Sequence, residues 1–174
     1  LLQAHFATPR REEPLLFIRG LSPQWMQVEK QVEQAAPSEA PVLLLGEAGT
    51  GKERLARTIH QHSRRADRPF LSLNCATLSL ADLEDTKLRK AAGGSLFLDE
   101  LGALSPALQA KLIFDLEAPD GADLRLLCAS RLDLKTRFRE GSFRQDLYYR
   151  IGLIPLRLPP LRSFKHKLPS LARI

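Results

Sequence analysis

A chain of 174 residues, 44% hydrophobic and only 6% aromatic, is long enough for one domain with an aliphatic core and too short for two. Its formal charge of +6 invites nucleic acid. From Arg131 onward, however, the basic residues are spread along the chain, with no zinc-finger spacing and no aromatic–basic RNA motif.

No apolar run approaches the roughly 18 residues of a membrane span, and no basic start followed by an apolar core opens the chain. A cytoplasmic protein without membrane contact is expected. Cys75 and Cys128 each follow an apolar stretch and read as small buried residues rather than a disulfide. His60 and His62, two apart, fall on different faces of a helix, which argues against a metal site there.

In chain order, residues 1–18 show no clean period and read as an extended lead or linker. Ser22 and Pro23 supply an N-cap and a first-turn proline, and Trp25, Val28, Val32 and Ala35 then recur at helical spacing. The apolar run at 41–45 predicts a buried strand leading straight into Gly46-Glu47-Ala48-Gly49-Thr50-Gly51-Lys52-Glu53. That is a phosphate-binding loop in its proper setting, strand before and helix after. Glycines let successive backbone N–H groups approach phosphate oxygens. The helix opening near Lys52 adds the positive end of its dipole, and the Lys52 ammonium can reach the β- and γ-phosphates. All eight residues are therefore expected to contact ATP or ADP. One position is off pattern: Glu53 stands where a Ser or Thr hydroxyl usually helps to hold Mg²⁺.

A helix through Leu55, Ile59 and His62, a polar connection at 64–69 and a strand at 70–73 follow, with Asn74 just beyond the strand. A short helix through Leu80, Leu83 and Leu88 leads to Gly93-Gly94-Ser95-Leu96-Phe97-Leu98-Asp99-Glu100. Neighbouring side chains on a strand point to opposite faces, so the two acids divide their work. Asp99 is expected to hold Mg²⁺, directly or through water, and Glu100 to polarise the attacking water. The bland alternative is that two acids merely end a strand.

Ser105 and Pro106 repeat the cap-plus-proline device before Leu108, Leu112, Ile113 and Leu116. A turn at 119–121, a strand at 124–129, a polar region, a brief helix at 146–149 and a strand at 151–156 complete the series. Alternating strands and helices predict an α/β fold, a parallel sheet of five strands with helices on both faces. Ligand belongs at the carboxyl ends of the strands, where the loop, Asn74, Asp99 and Ser130 all fall.

By these blocks the chain resembles the AAA+ domain of bacterial enhancer-binding proteins, the NtrC-type activators of sigma-54 RNA polymerase, from about residue 20 onward. Residues 46–53 are similar to the family's GESGTGKE loop, in which glutamate normally replaces Ser/Thr; 74–76 resemble its NCA segment and 93–100 its GGTLFLDE. Residues 141–150, Gly-Ser-Phe-Arg-Gln-Asp-Leu-Tyr-Tyr-Arg, resemble GxFREDLYYR, and 158–162 resemble LPPLR. The resemblance implies a P-loop NTPase of three αβα layers at 19–158, with the beginning of a helical lid at 159–174. It also implies that Asn74 restrains the catalytic Glu100, and that Arg144 and Arg150 are arginine fingers reaching a neighbouring subunit's nucleotide. Local pairing with acids such as Asp146 is the alternative for both arginines. Fingers acting in trans imply a closed ring, a hexamer by resemblance, working with the transcription machinery and meeting DNA through a separate domain. The family's sensor II arginine and helix-turn-helix are expected to lie outside these 174 residues.

Two departures qualify the resemblance. Only residues 76–92 separate the NCA-like segment from the acidic strand, so the GAFTGA loop that touches sigma-54 is expected to be missing. At sensor I the family reads AATNRDL, whereas this chain reads Cys128-Ala129-Ser130-Arg131-Leu132-Asp133-Leu134. Ser130 keeps a hydroxyl, but a long cation, Arg131, replaces the neutral asparagine. Either Arg131 faces the γ-phosphate, strengthening binding while spoiling alignment of the water, or it turns to solvent. The leading expectation is an ATP-binding regulator module with weak hydrolysis and nucleotide-controlled assembly. The competing one is an active ring-forming ATPase working on a protein partner through a diverged loop.

Overall fold

The computed structural model describes residues 23–83, 88, 91–118 and 123–160. The expected lead, most of the expected lid and the expected turn at 119–121 lie outside the described residues. Helix α1 (Pro23–Ala35) precedes strand β1 (Val42–Leu45), and α2 (Lys52–Gln61) precedes β2 (Phe70–Asn74). A 3₁₀ turn at Leu80–Leu83 leads to β3 (Ser95–Asp99), and a second one follows at Leu101–Ala103. Helix α3 (Pro106–Glu117), β4 (Arg125–Ser130), α4 (Leu134–Arg139), α5 (Gln145–Ile151) and β5 (Ile154–Arg157) complete the chain order.

All neighbouring strands pair in parallel, in the order β2-β3-β4-β1-β5. Strands β1, β3 and β4 lie inside this sheet and are covered on both faces, which is why each reads as a continuous apolar run. Strand β5 has a partner on one side only, and there Pro155 costs no ladder hydrogen bond on the open side.

Alternation along each strand sorts the core into two layers. Val42, Leu44, Phe97, Leu127 and Ala129 join Trp25 and Val32 of α1 and Leu55 and Ile59 of α2. Leu43, Leu96, Leu98, Leu126 and Cys128 join Leu112 of α3 and Leu147 and Ile151 of α5. The αβα sandwich follows directly from strand periodicity meeting helical stripes.

At the amino ends of the strands the chain is pinned by polar groups. Arg125, 1% exposed, donates from its two terminal nitrogens to Ala36 O and Ala35 O, 2.7 Å each, and so caps the end of α1. Arg65 bridges Glu39 and Asp123, both at 2.7 Å. Gly93 has φ 77° and Gly94 leaves no space: a Cβ there would lie 2.0 Å from Pro69 O. Ser95 N donates to that same carbonyl and Arg125 N to Gly94 O, so this pair of glycines fastens the starts of β2, β3 and β4 together.

Candidate nucleotide site

The loop after β1 turns on Gly49 (φ 78°) and Gly51 (φ 84°), conformations that side chains rarely adopt. Its entrance is wedged. A Cβ on Gly46 would come within 3.0 Å of both Leu158 Cβ and Thr50 Oγ1, while Gly46 N donates to Ser130 O at 3.2 Å. Thr50 Oγ1 donates to Glu47 O at 2.8 Å and is buried with its residue. Lys52, the first residue of α2, is also buried, its Nζ donating to Gly46 O (3.0 Å) and Glu47 O (2.9 Å). The ammonium is thereby held inside the curl of the loop. Glu47, Ala48 and Gly49 form the exposed rim. Glu53 is exposed and pairs with Arg57 at 2.8 Å along the outer face of α2.

The acidic pair stands two strands away, at the same edge of the sheet. Asp99 Oδ1 accepts from Glu100 N at 2.8 Å, and Glu100 takes φ 52°, the one positive φ outside glycine among the described residues. A left-handed non-glycine residue costs roughly 1–2 kcal/mol and is found where surrounding structure enforces it, often at functional sites. Burial pushes the Asp99 carboxyl above its usual range; the Glu100 N–H bond and the Lys52 charge oppose that shift only in part. A carboxylate that is costly to ionise in this setting gains from a cation beside it, which fits a Mg²⁺ ligand.

The remaining expected residues share the edge but face other partners. Asn74 is level with Asp99 in the β2–β3 register, yet its Oδ1 accepts from Ala76 N at 2.9 Å, within its own turn. Ser130 is buried, its Oγ donating to Leu132 O and accepting from Leu132 N. The partner of Glu100 is Arg131: its Nε lies 3.0 Å from Glu100 Oε2, with Glu100 19% and Arg131 57% exposed. The departure from pattern at sensor I thus meets the candidate catalytic acid.

Arg144 caps the start of α5, Arg150 lies in its last turn, and both are exposed. Arg144 pairs with Asp146 at 2.7 Å; Arg150 donates to Leu116 O at 2.8 Å and pairs with Glu117 at 3.5 Å. Each has a local partner in the chain. Beside them Phe138 stacks on Tyr148 at 5.4 Å, with the Tyr149 ring edge-on to Tyr148 at 5.5 Å.

Sequence reasoning missed Gln109, which is 1% exposed and accepts from Arg144 N while donating to Leu104 O and Ser142 O. It ties the arginine-bearing segment to α3. A glutamine among the leucines of a helix was the only available signal.

A parallel αβα sandwich with a glycine loop after β1 and paired acids after β3 defines a P-loop NTPase of the AAA+ type. The family model for the Sigma-54 interaction domain matches residues 20–161, and the chain belongs to that family. Among relatives it is 42% identical to the Nif-specific regulatory protein of Sinorhizobium fredii, in an alignment of 196 residues covering 95% of this chain and 33% of the relative. It is 39% identical to that of Azospirillum lipoferum, over 87% of this chain and 29% of the relative. The chain thus spans about a third of the length of the curated relatives it matches. The structure of NtrX from Brucella abortus in complex with ATP superposes with a TM-score of 0.79 at 29% identity, covering 95% of this chain and 43% of that one. NtrX in complex with ADP superposes with a TM-score of 0.78. Among the described residues no helix is long and apolar enough to cross a membrane.

Proposed function

We propose that this chain is the ATP-binding AAA+ module of a bacterial transcriptional regulator, in which nucleotide controls self-assembly and hydrolysis is slow. The carrying observation is the convergence of Lys52, Asp99 and Glu100 on one sheet edge, with Arg131 paired to Glu100. Residues 46–53 hold the phosphates through backbone N–H groups and the Lys52 ammonium. Asp99 holds Mg²⁺, which when bound neutralises phosphate charge. Glu100 is the group suited to accept a proton from water, and Ser130 and Asn74 shape the edge around it. Arg144 and Arg150 present guanidinium groups to a neighbouring subunit, and the assembled form is a ring.

The module acts without the loop that works on sigma-54 polymerase. That reading is supported by the short 76–92 connection between the NCA-like segment and the acidic strand. DNA and the transcription machinery are reached through other parts of the regulator.

The test is steady-state phosphate release across a range of protein concentrations, alongside calorimetric titration with ADP. The proposal expects ADP binding, lost by about 10- to 150-fold in Lys52→Ala, because a hydrogen bond to a charged group is worth roughly 1.5–3 kcal/mol. It expects turnover near background at every concentration. Specific activity that climbs with concentration would instead establish the ring-forming motor, which the two exposed arginines on one helix favour. Unchanged affinity in Lys52→Ala would remove the nucleotide site altogether.

A further inference from the structure

Arg131 begins the turn after β4, one residue beyond Ser130, whose carbonyl accepts from Gly46 N at the mouth of the phosphate loop. Its guanidinium touches the Glu100 carboxylate, while its backbone follows directly on the residue bonded to the loop that, with Lys52, would receive phosphate. Both partners of the Arg131–Glu100 contact reach solvent, and exposed ion pairs of this kind shift an equilibrium by only a factor of a few. Glu100 itself is less free to leave. Its backbone is fixed by the left-handed φ of 52° and by the bond from its N–H to Asp99 Oδ1, so the guanidinium is the mobile member. A long arginine side chain at a strand end can exchange one oxygen pair for another at low cost.

We infer that Arg131 is an exchange latch that discriminates ATP from ADP: it holds Glu100 while no γ-phosphate is present and moves to the γ-phosphate when ATP binds, freeing the carboxylate. The inference rests on the proposed nucleotide site and goes beyond it. It assigns to one residue both the silencing of the candidate base and the reading of the third phosphate. It also explains why the asparagine position can carry an arginine here, for a cation can exchange between two acids, whereas an amide can only align one geometry. In the ADP state the pair stays closed, and the guanidinium keeps its hold on the Glu100 carboxylate.

Thermodynamic reciprocity supplies a test that does not depend on turnover. If Arg131 must let go of Glu100 to reach the γ-phosphate, removing the Glu100 charge must strengthen binding of a triphosphate and leave a diphosphate untouched. The experiment measures calorimetric affinities of the full chain, with Mg²⁺, for AMP-PNP (a non-hydrolysable ATP analogue) and for ADP. The variants are Glu100→Gln, Arg131→Ala, Arg131→Lys and the double variants Glu100→Gln/Arg131→Ala and Glu100→Gln/Arg131→Lys.

The latch predicts that Glu100→Gln raises AMP-PNP affinity about two- to fivefold with ADP affinity unchanged. That gain must vanish in the Arg131→Ala background and survive in part with Arg131→Lys, which keeps a cation. A gain that persists without Arg131 would mean that Glu100 simply repels phosphate, and would overturn the latch. So would equal changes for AMP-PNP and ADP, or no gain at all. Failure of the wild-type protein to bind either nucleotide would instead refute the nucleotide site itself, so the two failures are told apart. Circular dichroism of each variant identifies any that is unfolded; Arg131→Lys then carries the comparison in place of Arg131→Ala, its gain having to be smaller than that of Glu100→Gln alone.

Discussion

His60 illustrates how a single buried group sets a condition on the whole chain. Its ring is 4% exposed, Nδ1 lies 2.9 Å from Ser95 Oγ, and the ring packs 5.2 Å from Phe70. Burial lowers its pKa below the usual imidazole value, and the charges of Arg125 and Arg57 act in the same direction. The unfolded chain consequently takes up a proton near pH 6.5 that the folded chain still refuses, so stability is complete above that value and falls as pH drops through it toward the folded pKa. His60→Asn, which can keep a hydrogen bond to Ser95, should be less stable at pH 7.5 yet lose much of the decline between pH 7.5 and 5.5. Urea midpoints across that range check it, and a slope as steep as that of the parent would show that other groups govern the acid limb.

The same scale shows how far a site can be read without coordinates. The loop at Gly46 to Lys52 and the strand end at Asp99–Glu100 were legible as structure, because both patterns have fixed spacing beside an apolar strand. The partners of Asn74, Ser130 and Arg131 were not, since a hydrogen bond across a turn leaves no spacing to detect. Arg131 had been given two destinations, γ-phosphate or solvent, and the carboxylate of Glu100 was neither.

Among the elements, α1 is tied to β4 by more than the apolar layer they share. Its last carbonyls, Ala35 O and Ala36 O, are satisfied by Arg125 from the start of β4, deep enough that burial lowers even a guanidinium's pKa. Arg125→Met should therefore cost about 2–4 kcal/mol, as Ala36 O loses its charged donor in a buried setting and Ala35 O is left with the Ser38 N–H alone. The exposed Arg64→Met should stay within about 0.5 kcal/mol. Equal urea midpoints for the two variants would show that water replaces the guanidinium.

Strands read well at this scale because β1, β3 and β4 are buried on both faces and so carry apolar runs at their centres, with polar residues only at the ends of β3 and β4. Helix α4 escaped notice, appearing as a polar region, because only Leu134 of its six residues is buried and its start rests on an Asp133 cap. Strand β5 was expected from residue 151, but Ile151 closes α5 instead and pairing begins at Ile154. An apolar residue shared between a helix end and a strand start satisfies both periodicities, and only the sheet register decides between them.

For the molecule as a whole, assembly is the property that its two exposed arginines put at stake. With AMP-PNP the wild-type chain should sediment as a larger species whose share grows with concentration. Arg150→Ala should remain at the monomer value while binding nucleotide as before. Because Arg150 also caps the end of α3 through Leu116 O, the variant's thermal midpoint must be followed too; loss of assembly counts only where that midpoint is retained. A variant that assembles normally would return Arg150 to its local partners.

The tandem at Gly93 and Gly94 has a consequence for the history of this chain. One glycine needs a backbone angle that other residues resist, and the next has a carbonyl standing where any side chain would begin. Every codon one base away from glycine that still encodes an amino acid other than glycine adds that missing carbon. Variation can therefore wander over the exposed rim at Glu47 and Ala48, or along the outer face of α2, while these two codons stay locked. In a pool of random variants selected only for folding, this pair should be among the slowest positions to diversify, although it lies at the amino ends of the strands, across the whole sheet from the nucleotide.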